Sequence, residues 1–182
     1  IASRGRNVLI AGDSKSGKSW VTGLLCEQLI LHGYCVCVLD PEGDYRALEG
    51  LPGVTVAGGD DPPPSARDVM RMLRYPDRSL VIDLSRLEQD AKIHYIRSML
   101  PVVNMLRRRT GLPPRIVVDE AHYFLHDPDG AELLDLDRNG YTVATYCASR
   151  LPQALLDATE VMLVTCESNT VEIEALRRCC ES

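Results

Sequence analysis

Short apolar runs bounded by turn residues recur along the chain: Val8 to Ala11, Cys35 to Leu39, Val54 to Ala57, Leu80 to Leu84, Ile116 to Val118, Val143 to Cys147 and Val161 to Thr165. Most lack the alternation of a half-buried strand and are rich in Val and Ile, so they predict short strands, several buried on both faces. Between them the period turns helical, most clearly from Lys18 to His32 and from Leu87 to about Arg109, where Ile93, Ile96, Leu100, Val103 and Leu106 recur at helical spacing. Strand then helix, repeated, predicts an α/β fold in which a mostly parallel central sheet carries helices on both faces. Gly58-Gly-Asp-Asp-Pro62-Pro-Pro64 breaks the pattern before a helix expected to start near Ser65; Gly111-Leu-Pro113-Pro114 ends the long helix, and Asp127-Pro-Asp-Gly130 punctuates the segment after the next strand. No internal repeat or low-complexity tract interrupts this plan.

The 182 residues suit one domain spanning residues 1–182, and the start at Ile1, a few residues before a strand, is read as the edge of a piece cut from a longer protein. With one Phe and one Trp, the core must be built mainly from Leu, Val and Ile. The seven cysteines sit mostly inside apolar runs and lack the spacing of disulfide frameworks or zinc knuckles, which argues for a reducing, cytoplasmic setting. No apolar stretch is long enough for a membrane helix. A net charge of −6 and an isoelectric point near 5.2 give DNA binding no support, since domains that bind nucleic acid alone are usually basic. The triplet Arg107 to Arg109 is read as helix-terminal cations rather than a nucleic-acid contact.

Candidate chemistry begins at Gly12-Asp13-Ser14-Lys15-Ser16-Gly17-Lys18-Ser19, a Gly-x-x-x-x-Gly-Lys-Ser string between a strand and a helix. Glycines let successive N–H groups turn inward on phosphates, and the helix end adds positive potential. Lys18 is expected to reach the β- and γ-phosphates, and the Ser19 hydroxyl to ligate Mg²⁺. Lys15 is read as a solvated loop residue. A P-loop enzyme also needs an acid at a strand end; Asp83 and Asp119 qualify, and Asp119 is preferred because Glu120 beside it can orient the attacking water. Asp83 is instead expected to cap the helix after Ser85. Asp40-Pro-Glu42-Gly-Asp44-Tyr45 puts three acids in a turn where the ligand crevice of such a sheet lies. His122 and His126 stand four apart, but with no third ligand nearby a packing or surface role is preferred to metal binding.

Together, the phosphate loop, the Asp40 to Tyr45 turn and Ile116-Val-Val-Asp119-Glu120-Ala-His122 resemble the HerA–FtsK superfamily of P-loop ATPases, closest to the HerA-like branch. The resemblance runs from about Asn7 to Val164. It implies a three-layer RecA-like fold of the ASCE division, ATP and Mg²⁺ as cofactors, metal support from Asp119 and Ser19, and water activation by Glu120. It also implies a second-strand acid at Asp44 and a sensor or arginine finger at Arg150, acting in its own subunit or across to a neighbour. Family members form hexameric rings that process DNA. This chain departs from the pattern: Ser149 stands where a Gln is usual, and Leu151 precedes Pro152. The pattern admits three readings: a DNA-translocating ATPase motor, a regulatory ATP switch controlling a fused or partner domain, and a small-molecule P-loop kinase, which lacks an Arg-rich lid here. ATP is the default nucleotide, because no Asn-Lys-x-Asp guanine loop occurs.

Overall fold

A computed structural model describes residues 5–111, 114–126 and 128–181, so Leu112 and Pro113 of the predicted break, Asp127 of the next turn and the first four residues lie outside the described residues. Seven strands form one sheet: β1 (Val8–Ala11), β2 (Val36–Asp40), β3 (Val54–Gly58), β4 (Ser79–Asp83), β5 (Arg115–Val118), β6 (Tyr141–Thr145) and β7 (Val161–Val164). Their order is β3-β4-β2-β5-β6-β1-β7, and every pairing is parallel. Among the described residues the helices are α1 (Lys18–Leu31), α2 (Ala66–Met72), α3 (Gln89–Thr110), α4 (Gln153–Asp157) and α5 (Thr170–Glu181). The five inner strands are buried from end to end, and the two edges, β3 and β7, are half-buried. That difference explains the unbroken Val/Ile/Leu runs: a parallel strand with helices on both sides has no wet face to mark.

Alternate residues divide the sheet between two cores. Leu9, Cys37, Leu39, Leu80, Ile82, Ile116, Val118 and Val143 face α2, α3, α4 and α5 through Val69, Ile96, Leu100, Val103, Leu155 and Leu176. On the other face Val36, Val38, Val81 and Val117 meet Cys26 and Ile30 of α1 together with Tyr45 and Leu48. The three-layer α/β arrangement is therefore the one that the strand–helix alternation predicts. Ser65 caps α2, accepting a hydrogen bond from the Asp68 N–H at 3.3 Å. The long helix starts at Gln89, two residues later than its apolar period, runs through Pro101 and ends with Gly111 in the left-handed conformation. On the outer side of α1, Trp20 is 73% exposed, with Leu24 and Leu31 also open.

Candidate nucleotide site

The loop from Gly12 to Gly17 leaves β1 and enters α1, with Gly17 as the N-cap at φ 94°. Only glycine takes that angle at little cost, and it turns the first N–H groups of α1 toward the loop interior. Gly12 is required for a different reason. A Cβ there would stand 2.3 Å from Thr165 Oγ1 and 2.7 Å from the Cys166 carbonyl, because the chain after β7 lies against the loop. Ser16 and Thr165 share a hydroxyl hydrogen bond of 2.6 Å, and the Asp13 N–H donates to the Cys166 carbonyl. Ser168 donates through N–H and hydroxyl to Asp13 Oδ2, which holds the Asp13 carboxyl below its usual range. Lys18 is buried, and its Nζ donates to the Asp13 carbonyl at 2.8 Å. Ser14 and Lys15 are exposed, and Lys15 adopts φ 63°.

Asp119 and Glu120 follow β5, one strand away from β1 across β6. Asp119 is buried; its Oδ2 accepts from the Tyr45 hydroxyl at 2.7 Å, and its Oδ1 from the Glu120 N–H at 2.8 Å. Burial raises its carboxyl above the ordinary range, opposed by hydrogen bonds from Tyr45, the Glu120 N–H and the Ser19 hydroxyl. The site thus joins Ser19 of the phosphate loop to Asp119 of the acid strand. Glu120 sits in the left-handed region at φ 48°, a strained position for a side chain of this size. Its carboxyl is pushed up to about 7, first by burial and next by the Asp119 charge, with Lys18 lowering it and Glu42 and Asp44 raising it. Glu120 Oε2 is buried and makes no hydrogen bond among the described residues. A buried, unpartnered carboxylate oxygen beside a buried lysine is costly unless something else uses it.

The three acids of the second turn separate by role. Asp40 is buried and gathers the N–H groups of Glu42, Gly43 and Asp44 on Oδ1 and that of Tyr45 on Oδ2. It shapes the turn, and burial outweighs those bonds to hold its carboxyl near 6. Glu42 accepts from Lys92 Nζ at 3.3 Å, tying the turn to α3. Asp44 is exposed, and its charge is felt at Glu120. Asp83 does not cap α3; its Oδ1 accepts from the Ser85 N–H at 2.9 Å, and Oδ2 lies 3.6 Å from Arg46.

His122 is buried, packed between the rings of Tyr123 and Tyr146 at 4.1 and 4.2 Å. Burial, then the charges of Arg150 and Lys18, lower its pKa to about 4, so it is neutral at pH 7. His126 is exposed, and no group of three or more His, Cys, Asp or Glu gathers as a metal site among the described residues. Arg150 is exposed on the turn Ala148–Arg150. Ser149 beside it is occupied: its N–H and hydroxyl both donate to Glu172 of α5, at 2.9 and 2.6 Å. Burial raises the Glu172 carboxyl, but hydrogen bonds from Ser149, Cys147 and the Ala148 N–H outweigh it and leave a net lowering. The arginine triplet is partly built into the fold. Arg107 is buried against the Tyr141 ring at 5.0 Å, and Arg108 donates to Asp135 at 2.7 Å.

Tyr45, Thr165 and Glu172 border the candidate site, and sequence reasoning did not single them out. Tyr45 closes the acidic turn and its ring faces Gly23 of α1, where an added Cβ would meet it at an ordinary 3.9 Å contact; a Tyr directly after the acids was the available signal. Nothing local marks Thr165 or Glu172, whose partners lie 149 and 23 residues away.

The family described as helicase HerA, central domain, matches residues 5–98. That span holds the phosphate loop and the acidic turn. Among solved structures, the genome packaging NTPase B204 from Sulfolobus turreted icosahedral virus 2 in complex with ATPγS is similar at TM-score 0.66 and 15% identity, over 97% of this chain and 82% of that one. The same protein in complex with AMPPCP gives TM-score 0.65 at 16% identity, over 95% and 81% of the two chains. At such identity the likeness is one of fold, that of a P-loop NTPase. No curated protein matches the chain significantly.

Proposed function

The chain belongs to the family of the HerA helicase central domain, and on that premise we propose that it binds ATP with Mg²⁺ and hydrolyses it. The observation that carries the reading is Glu120: a carboxylate with a buried, unpartnered oxygen, held next to Asp119 and within the field of Lys18. That is the placing a group needs to take the proton of a water attacking a γ-phosphate. Lys18, now bonded to the Asp13 carbonyl, can exchange that oxygen for phosphate oxygens without leaving the loop. Ser19 and Asp119 offer hard oxygen donors that fit Mg²⁺, which takes one or two protein oxygens and keeps phosphates and waters for the rest. The metal, when bound, would neutralise charge on the β- and γ-phosphates. Arg150 is exposed and can meet transition-state charge, in its own subunit or in a neighbour's site. The ATPγS and AMPPCP held by the B204 NTPase support the choice of nucleotide.

We further propose that turnover drives a DNA-translocating ring within a longer protein. A second reading, a regulatory switch in which ATP orders loops for a fused or partner domain, is favoured by one observation: Ser149 is bound to Glu172 and so is not available to sense phosphate. Phosphate release from ATP, measured with and without single- or double-stranded DNA and with Glu120→Gln as control, tests both. DNA-stimulated turnover lost in the control supports the motor; slow turnover indifferent to DNA supports the switch. No turnover and no ATP binding under any condition overturns both.

A further inference from the structure

The geometry points to His122 as a positioning residue that links the Glu120 carboxylate to the strand end and turn carrying Arg150. The inference rests on the proposed role of Glu120. His122 Nδ1 lies 3.0 Å from Thr145 Oγ1 and 3.5 Å from Glu120 Oε2. With the ring neutral, the latter contact is no ion pair, and its worth depends on the tautomer. Nε2 is buried without a hydrogen-bond partner among the described residues. A proton there would leave an orphaned N–H, the rarer and costlier kind of unsatisfied group. The proton therefore belongs on Nδ1, where it points between the Thr145 hydroxyl and the Glu120 carboxylate.

The line continues past Thr145. Its Oγ1 also accepts the Cys147 N–H at 2.9 Å, and Cys147 Sγ stands 3.4 Å from Glu172 Oε1, the carboxylate that holds Ser149. A continuous polar path thus runs from Glu120 through His122 and Thr145 to the turn bearing Arg150, across the end of β6. Packing between Tyr123 and Tyr146 fixes the ring's plane, so a shift of the turn must be felt at Glu120. Packing alone would be served equally well by an apolar ring, and that difference is testable.

The experiment measures kcat and KM for ATP, ATP affinity by titration calorimetry, and thermal unfolding. The proteins are the wild type, His122→Phe, His122→Asn, Thr145→Val and the double variant His122→Phe/Thr145→Val. The Phe ring keeps the packing and removes the donor, whereas the Asn amide can place an N–H where Nδ1–H stands. His122→Phe is expected to lower kcat roughly ten- to a hundredfold with KM and affinity unchanged, as loss of a supporting polar neighbour does. His122→Asn should recover most of that loss. Thr145→Val, which keeps the side-chain shape and removes the hydroxyl partner of the ring, should lower kcat as well, and the double variant should be no worse than His122→Phe, as expected for two links of one path. Wild-type kcat in His122→Phe or Thr145→Val, or an Asn variant no better than Phe, overturns the inference. Unimpaired turnover by Glu120→Gln overturns the underlying reading instead.

Discussion

Lys18 opens α1 after β1, and Asp119 and Glu120 follow β5 with β6 between; each acid is shaped by what surrounds it rather than by its own chemistry. Lys18→Ala is expected to weaken ATP binding at least a hundredfold in calorimetry, because the buried ammonium supplies charge that no neighbour replaces. Glu120→Gln should bind ATP as well as wild type and lose turnover by about a thousandfold or more in phosphate release. His122 gives a stability prediction of definite sign. Its folded pKa of about 4 lies below the ordinary 6.5, so between those values the unfolded chain binds more protons and stability falls as pH is lowered. The slope is at most about 1.4 kcal/mol per pH unit, on the order of 3 kcal/mol across the window. Asp40 works in the opposite sense: its folded value near 6 exceeds 3.8, so its contribution is lost as pH rises through that interval. Comparing thermal midpoints of wild type and His122→Asn from pH 7 to 4 isolates the histidine, and the variant should lose the steeper acid decline. At this scale the sequence displayed the charged residues but not their neighbours. The Gly-Lys-Ser string and the Asp-Glu pair are short-range patterns. The Tyr45 hydroxyl on Asp119 is a contact across 74 residues, and the burial that lifts Glu120 arises only once the sheet is assembled.

Among the elements, the segment from Thr165 to Glu172 does the least expected work. Its first half lies along the phosphate loop through Ser16 and Asp13, and its last residue holds the Ser149 turn. The Gly12–Gly17 loop and the Ser149 turn are therefore braced by the same eight-residue stretch. Glu172→Ala should free Ser149 and leave the turn unanchored, raising amide exchange at residues 147–150 and lowering turnover, with ATP affinity little changed. Gly12→Ala should be worse for the loop itself. The added methyl meets Thr165 and the Cys166 backbone, and a loss of about 2–3 kcal/mol in denaturant unfolding is expected for overpacking against main chain. Most strands were legible as apolar runs, because burial on both faces leaves an unmistakable stretch; their ends moved by one or two residues, as at Tyr141–Thr145. The helices α4 and α5 were not anticipated. Gln153–Asp157 has five residues, too short for a period to show, whereas Thr170–Glu181 is amphipathic, half apolar and half polar, and its period was there to be read.

At the scale of the whole molecule, an all-parallel sheet places every strand's carboxyl end on one side, and the phosphate loop, acidic turn, acid pair and Arg150 turn all follow strands there. Such crevices bind ligands because helix starts and loop N–H groups converge on them. The net charge of −6 opposes DNA binding by an isolated copy, so stimulation by DNA is expected only where copies gather their exposed arginines on one surface. Light scattering with and without ATP should then show a rise from 20.2 kDa to roughly six times that mass if the ring forms, and no change if the switch reading holds. One surface residue makes the site visible without a label. The chain has a single tryptophan, and Trp20 stands in water, 73% exposed, directly after Ser19 on the first turn of α1. All indole emission therefore comes from the edge of the phosphate site. Its colour and quenching should follow nucleotide arrival in Glu120→Gln and stay silent in Lys18→Ala, separating binding from turnover in one optical titration.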